Sequence, residues 1–84
     1  MTEPEIENLV RRELYAVAPD LEGLEIEPNE TFRDQFEIDS MDTLNFVIGL
    51  SKATGLDIPE ADYPQLETFA GCKSYISKRL RAPG

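Results

Sequence analysis

The run Asp39-Ser40-Met41-Asp42-Thr43-Leu44-Asn45-Phe46-Val47-Ile48-Gly49-Leu50-Ser51-Lys52-Ala53-Thr54-Gly55 decides the fold of this chain. Asp39 is a good helix N-cap, and Asp42 stands at N3, where a negative charge suits the helix start. Leu44, Val47, Ile48 and Leu50 form a helical stripe, with Phe46 flanking it. Gly55 fits the C′ position, and the apolar Leu56 after it fits a Schellman ending. The run therefore predicts a helix over 40–54. Ser40 lies in its first turn, where free backbone N–H groups and the dipole favour an anion. A serine there can carry a phosphate-linked group or simply start a helix, and the tetrapeptide Asp39–Asp42 alone does not separate the two.

Outward from this run, two further helices are legible. Thr2 and Glu5 have capping-box spacing, with Pro4 in the first turn. Ile6, Leu9, Val10, Leu14 and Val17 then mark one helical face. Glu3, Glu5 and Glu7 lead while Arg11 and Arg12 follow, in the sense the macrodipole prefers, and Glu7–Arg11 is a favourable i,i+4 pair. Pro19 ends this helix, expected over 3–18. Thr68 caps another over 68–81, with Phe69, Cys72, Ile76 and Leu80 inward and Lys78, Arg79 and Arg81 near its C-terminal end. The tail Ala82-Pro83-Gly84 is expected to fray.

The connections read less cleanly. Pro59 at N1, followed by Glu60-Ala61-Asp62-Tyr63, predicts a short helix over 59–63, cut off before Pro64. Residues 19–38 show no period. Leu21, Leu24, Ile26, Phe32, Phe36 and Ile38 are scattered among acids and turn formers, too apolar for a free linker. The segment is expected to lie pinned on the core, with a short turn at Thr31–Gln35. The expected fold is all-α: one domain over 1–84, a four-helix bundle with three longer helices, one short helix and a long first loop.

Composition narrows the function. The chain has 84 residues, a net charge of −9 and no histidine. Such acidity disfavours nucleic acid and anionic membranes and favours partners with basic patches. Without histidine there is no Ser-His-Asp or Cys-His catalysis and no histidine metal site. The single Cys72 cannot form an internal disulfide, points to a reducing compartment, and is expected to pack as a small hydrophobe. The acidic N-terminus lacks the pattern of a signal peptide, and no stretch reaches membrane-spanning length. A cytoplasmic monomer is the expectation.

At this point the chain resembles the acyl carrier protein family, including peptidyl and aminoacyl carrier relatives, over roughly Ile6 to Leu80. Phe32-Arg33-Asp34-Gln35-Phe36-Glu37-Ile38-Asp39-Ser40-Met41-Asp42 is similar to the family's serine motif with its preceding loop. Gly55-Leu56-Asp57-Ile58-Pro59 resembles the link into helix three, and Thr68-Phe69 with Tyr75-Ile76 resembles helix four. The resemblance implies a carrier rather than an enzyme. Ser40 would receive 4′-phosphopantetheine from coenzyme A through a phosphopantetheinyl transferase, with Asp39 helping to position it. The arm's thiol would hold an acyl or aminoacyl group as a thioester, supplied by a loading ligase and passed to an acyltransferase or synthase. Met41, Asp42 and Ile48 would contact partners, while Phe32, Leu44, Val47 and Phe69, read as core, are candidates for lining an acyl pocket. No metal site is implied.

Three departures qualify the resemblance. Glu37 stands where relatives commonly have glycine. The helix after Ser40 carries Asn45, Ser51 and Lys52 where fatty-acid carriers tend to show carboxylates. Pro64 interrupts the exit from the short helix. These differences point to a specialised carrier with its own partners. A competing reading is a small acidic helical adaptor in which Ser40 is only a helix-start residue or is phosphorylated. A calcium module built on Asp34, Asp39 and Asp42 lacks the alternating ligands, glycine and closing glutamate of the calcium loop. An autonomous hydrolase is disfavoured by the missing histidine.

Overall fold

The computed structural model describes residues 1–81; the tail Ala82-Pro83-Gly84 and the side chain of Arg81 lie outside them. Helix α1 spans Glu3–Val17. Its start is the predicted capping box: the Thr2 hydroxyl accepts from the Glu5 N–H at 3.4 Å, and the Glu5 carboxylate accepts from the Thr2 N–H at 2.8 Å. Helix α2 is one short stretch, Phe32–Phe36, capped by Thr31. Helix α3 spans Ser40–Thr54 and α4 spans Phe69–Arg81. Two 3-10 segments, Pro19–Leu21 and Glu60–Leu66, complete the order, and among the described residues no strand forms.

The core lies where α1, α3 and α4 meet. Val10 and Leu14 from α1, Val47 and Leu50 from α3, and Cys72 and Ile76 from α4 are almost wholly buried. Gly55 closes α3 in the left-handed region at φ 73°, which glycine adopts without penalty. On α4, a Cβ at position 71 would run into the backbone carbonyl of Gln65, so glycine there lets the helix approach the 3-10 segment.

Several expectations are corrected. The third helix is 3-10 rather than α, begins at Glu60 and runs through Pro64 to Leu66. A short 3-10 segment tolerates this because Pro64 withholds only its own N–H, while the Asp62 N–H already bonds the Pro59 carbonyl at 2.9 Å. Leu44, placed in the core by periodicity, is 41 % exposed, whereas Phe46, read as flanking, is 2 % exposed. The helix buries its Thr43–Phe46–Val47–Leu50–Thr54 side, because that side meets the other helices. Leu80 points outward at the end of α4, and Tyr75 is buried in its stead. In the first loop, Leu24 is exposed while Leu21, Phe32 and Ile38 are buried.

The long connection between α1 and α3 is nonetheless ordered by specific contacts. The Gln35 side-chain carbonyl accepts from the Glu27 N–H, and its amide donates to the carbonyls of Glu27 and Glu30, all at 2.9 Å. One side chain thus serves the loop backbone as a neighbouring strand would. The Phe32 N–H donates to the Glu67 carbonyl and the Ala70 N–H to the Pro28 carbonyl, both at 2.9 Å, stitching the loop to the start of α4.

The second connection is held differently. Tyr75 on α4 donates its hydroxyl to Asp62 at 2.7 Å. Arg79 donates to that hydroxyl at 3.0 Å and to the Asp57 carbonyl at 2.9 Å, and pairs with Asp62 at 3.5 Å. Nearby, the buried Cys72 thiol lies 3.3 Å from the Leu66 carbonyl. Burial pushes that thiol well above its ordinary range, so it stays protonated.

Candidate functional site

Ser40 is the first residue of α3 and is exposed. The capping work is done by its neighbour. Asp39 accepts the Asp42 N–H on its carboxylate at 2.8 Å, and its carbonyl takes the Thr43 N–H at 3.0 Å and the Thr43 hydroxyl at 2.9 Å. Among the described residues the Ser40 hydroxyl has no hydrogen-bond partner. The N–H groups of Ser40 and Met41, at N1 and N2, have no intrahelical acceptor. An unengaged hydroxyl beside free N–H groups at a helix start fits a phosphodiester both sterically and electrostatically.

Beyond Ser40 the outer face of α3 carries an apolar strip. Met41 is 66 % exposed and Ile48 40 %, and Leu44 lies between them on the same side at helical spacing. Asp42 is half-buried at the head of this strip. The residues read as partner contacts therefore share the serine's surface, and Leu44 joins them. The signal for Leu44 was present in the three- and four-residue steps from Met41 to Leu44 to Ile48.

A cavity of about 300 Å³ opens between the first loop and α3. Its apolar wall includes Leu14, Phe32, Ile38 and Phe46; Thr31 and Thr43 add hydroxyls, and Arg33, Asp34 and Glu67 lie around it. Thr43 sits one turn from Ser40, so the cavity borders the serine's helix. Phe32 and Phe46 pack edge to face, with centroids 5.5 Å apart. Of the four residues read as pocket candidates, Phe32 lines this cavity. Val47 is core, Leu44 is on the outer face, and Phe69 packs on the α1 side, with Arg11 5.0 Å and Lys73 5.4 Å from its ring centre. Ile38, Thr43 and Phe46 were missed as lining residues. Only their positions around Ser40 could have flagged them, since the loop's path is not periodic.

Among the described residues, no group of three or more His, Cys, Asp or Glu side chains is placed to hold a metal ion. No described helix is long and apolar enough to cross a membrane.

Comparison with known proteins bears on the same segment. The family described as "Phosphopantetheine attachment site" matches residues 5–76. An acyl carrier protein from Rubrobacter xylanophilus is 28% identical over 58 residues, which cover 69% of this chain and 72% of that protein.

Proposed function

Because the chain belongs to the phosphopantetheine-attachment family, a family of carrier proteins bearing covalent 4′-phosphopantetheine, we propose that Ser40 is the residue that carries the group. The observation that supports this most is the division of labour at the start of α3. Asp39 supplies the cap, which leaves the Ser40 hydroxyl exposed and unengaged. Once attached, the group supplies a thiol that holds an acyl or aminoacyl unit as a thioester.

The chain's own part is presentation. α3 holds Ser40 at a fixed point on the surface, at the head of the Met41–Leu44–Ile48 strip. A phosphopantetheinyl transferase would be met there first, with Asp39 and Asp42 flanking the hydroxyl. Loading and acyl-transfer enzymes would then use the same strip. We assign the cavity bordered by Phe32, Phe46 and Thr43 as the shelter for cargo. Its hydroxyl and charged neighbours favour a short or polar group over a long alkyl chain. From Asp39 to Gly55 the only charged residues are Asp39, Asp42 and Lys52, a net of −1. That low charge supports a specialised partner set, because charges at a docking rim govern on-rate and partner choice. The chain itself performs no chemistry on the cargo in this reading.

Intact mass measured before and after incubation with coenzyme A and a broad-specificity phosphopantetheinyl transferase tests the assignment. Wild type should gain one phosphopantetheine, or already carry it, and Ser40→Ala should gain none. The variant should stay within about 0.5 kcal/mol of wild-type stability, since its cap is intact. Failure of the folded wild type to be modified, with a known carrier modified in parallel, would favour the adaptor reading. Modification of Ser40→Ala would move the site elsewhere.

A further inference from the structure

The outer face of α3 changes character along its length. At the serine end stand Asp39 and Asp42. The middle is the exposed apolar series Met41, Leu44 and Ile48. At four residues beyond Ile48, on the same side of the helix, comes Lys52, which is exposed. Asn45 and Ser51 beside the strip are uncharged. At 1.5 Å per residue, Met41 and Lys52 are about 16 Å apart along the axis, well within one docking footprint.

Lys52 is the cation on this face, and like Arg33 and Lys78 it stands apart from the chain's ion pairs among the described residues. Arg11, Arg12, Lys73 and Arg79 each pair with a carboxylate of the chain. Lys52 is in no ion pair among the described residues, so its charge faces whatever docks on α3. A partner whose contact surface is basic along the whole strip would be attracted at the Asp39–Asp42 end and repelled at the Lys52 end. A partner with a basic group near the serine and a neutral or acidic one about 16 Å along would be accepted at both ends.

We propose that Lys52 is a specificity residue that discriminates against partner enzymes with uniformly basic docking faces and admits those presenting a neutral or acidic group opposite it. Discrimination of this kind works through a built-in repulsion as much as through attraction. The proposal rests on the carrier reading above and assigns the partner chemistry of the same surface.

The test measures kcat/KM for phosphopantetheine transfer from coenzyme A by a broad-specificity transferase with a basic carrier-binding face. It compares wild type, Lys52→Glu, Lys52→Gln and Lys78→Glu at low salt and at about 0.5 M salt. Lys78 lies exposed on α4, away from the strip. Lys78→Glu changes the net charge as Lys52→Glu does, so it separates a local effect from a global one. Lys52→Glu should raise kcat/KM by about 3- to 10-fold at low salt through KM, as expected when a charge enters a docking rim. Lys52→Gln should fall between it and wild type. Lys78→Glu should change the rate less than about 2-fold, and high salt should erase the differences. Equal gains from Lys52→Glu and Lys78→Glu would overturn the proposal, as would no gain from Lys52→Glu with unchanged circular dichroism. A wild type that is not modified at all would instead count against the carrier reading, which keeps the two failures apart.

Discussion

The two long connections of this bundle solve the same problem by different means. The first, between α1 and α3, is anchored by apolar side chains, Leu21, Phe32 and Ile38, and by one amide, Gln35, that serves the loop backbone. The second, between α3 and α4, is tied by a polar cluster of Asp62, Tyr75 and Arg79 and by the close approach of Gly71 to Gln65. The first borders Ser40 and supplies much of one wall of the cavity. The second lies against α4 and fixes the packing there. The serine side thus combines apolar burial with bonds to the loop backbone beside a cavity, while the far side is tied by a side-chain polar cluster.

The largest effect should come from Phe32→Ala. Deleting a buried aromatic that also packs edge-on against Phe46 is expected to cost about 3 kcal/mol. Denaturant unfolding gives the size, and hydrogen exchange shows whether the loss centres on residues 27–38. A cost under about 1 kcal/mol would mean the first connection is not held by its apolar anchors.

A smaller effect is expected from Tyr75→Phe, about 1–2 kcal/mol at neutral pH, because the hydroxyl both donates to Asp62 and accepts from Arg79. This variant also has a pH signature. Burial first, and then the bond to Asp62, push the Tyr75 phenol above its ordinary value. The folded protein therefore holds the phenolic proton more tightly than the unfolded chain does. That contribution is complete below pH about 10 and fades as pH rises through the folded-state value. Thermal unfolding as a function of pH should show the wild type losing stability above pH about 10 more steeply than the phenylalanine variant. Parallel curves would remove Tyr75 from the account of the second connection.

The smallest effect tests the joint between the first connection and the serine. Glu37 sits at φ 55°, in the left-handed region, as the C-cap of α2. A side chain there is strained by about 1 kcal/mol, while glycine adds freedom to the unfolded chain. Glu37→Gly should therefore stabilise the protein by about 0.5 kcal/mol, read as a small rise in Tm. A fall in Tm would show that the glutamate side chain contributes something its exposure does not suggest.

The difference between the connections also explains what could be read from the sequence. Helices α1 and α3 were legible to within a residue because caps and stops were written locally: Thr2 and Glu5, Asp39, Gly55. Which face of α3 turns inward was not. Leu44, Phe46, Val47, Ile48 and Leu50 spread apolar character around most of the helix, and only the neighbouring helices decide that Phe46 enters and Leu44 leaves. Pro64 looked like a stop because it would break an α-helix, and the 3-10 geometry it tolerates has no sequence period to reveal it. Gln35 reaches a backbone eight residues away, a contact that no local pattern encodes. At the site, the serine and its flanking acids lay in one short motif, whereas the cavity wall was assembled from α1, α3 and both connections.

The sealed position of Cys72 has a practical consequence. The chain's one cysteine is buried, protonated and shielded from reagents in the folded state. A thiol-directed dye applied under native conditions therefore has no polypeptide background to contend with. Its stoichiometry reports how many molecules bear a free prosthetic thiol. The fold supplies a built-in blank for counting its own prosthetic group.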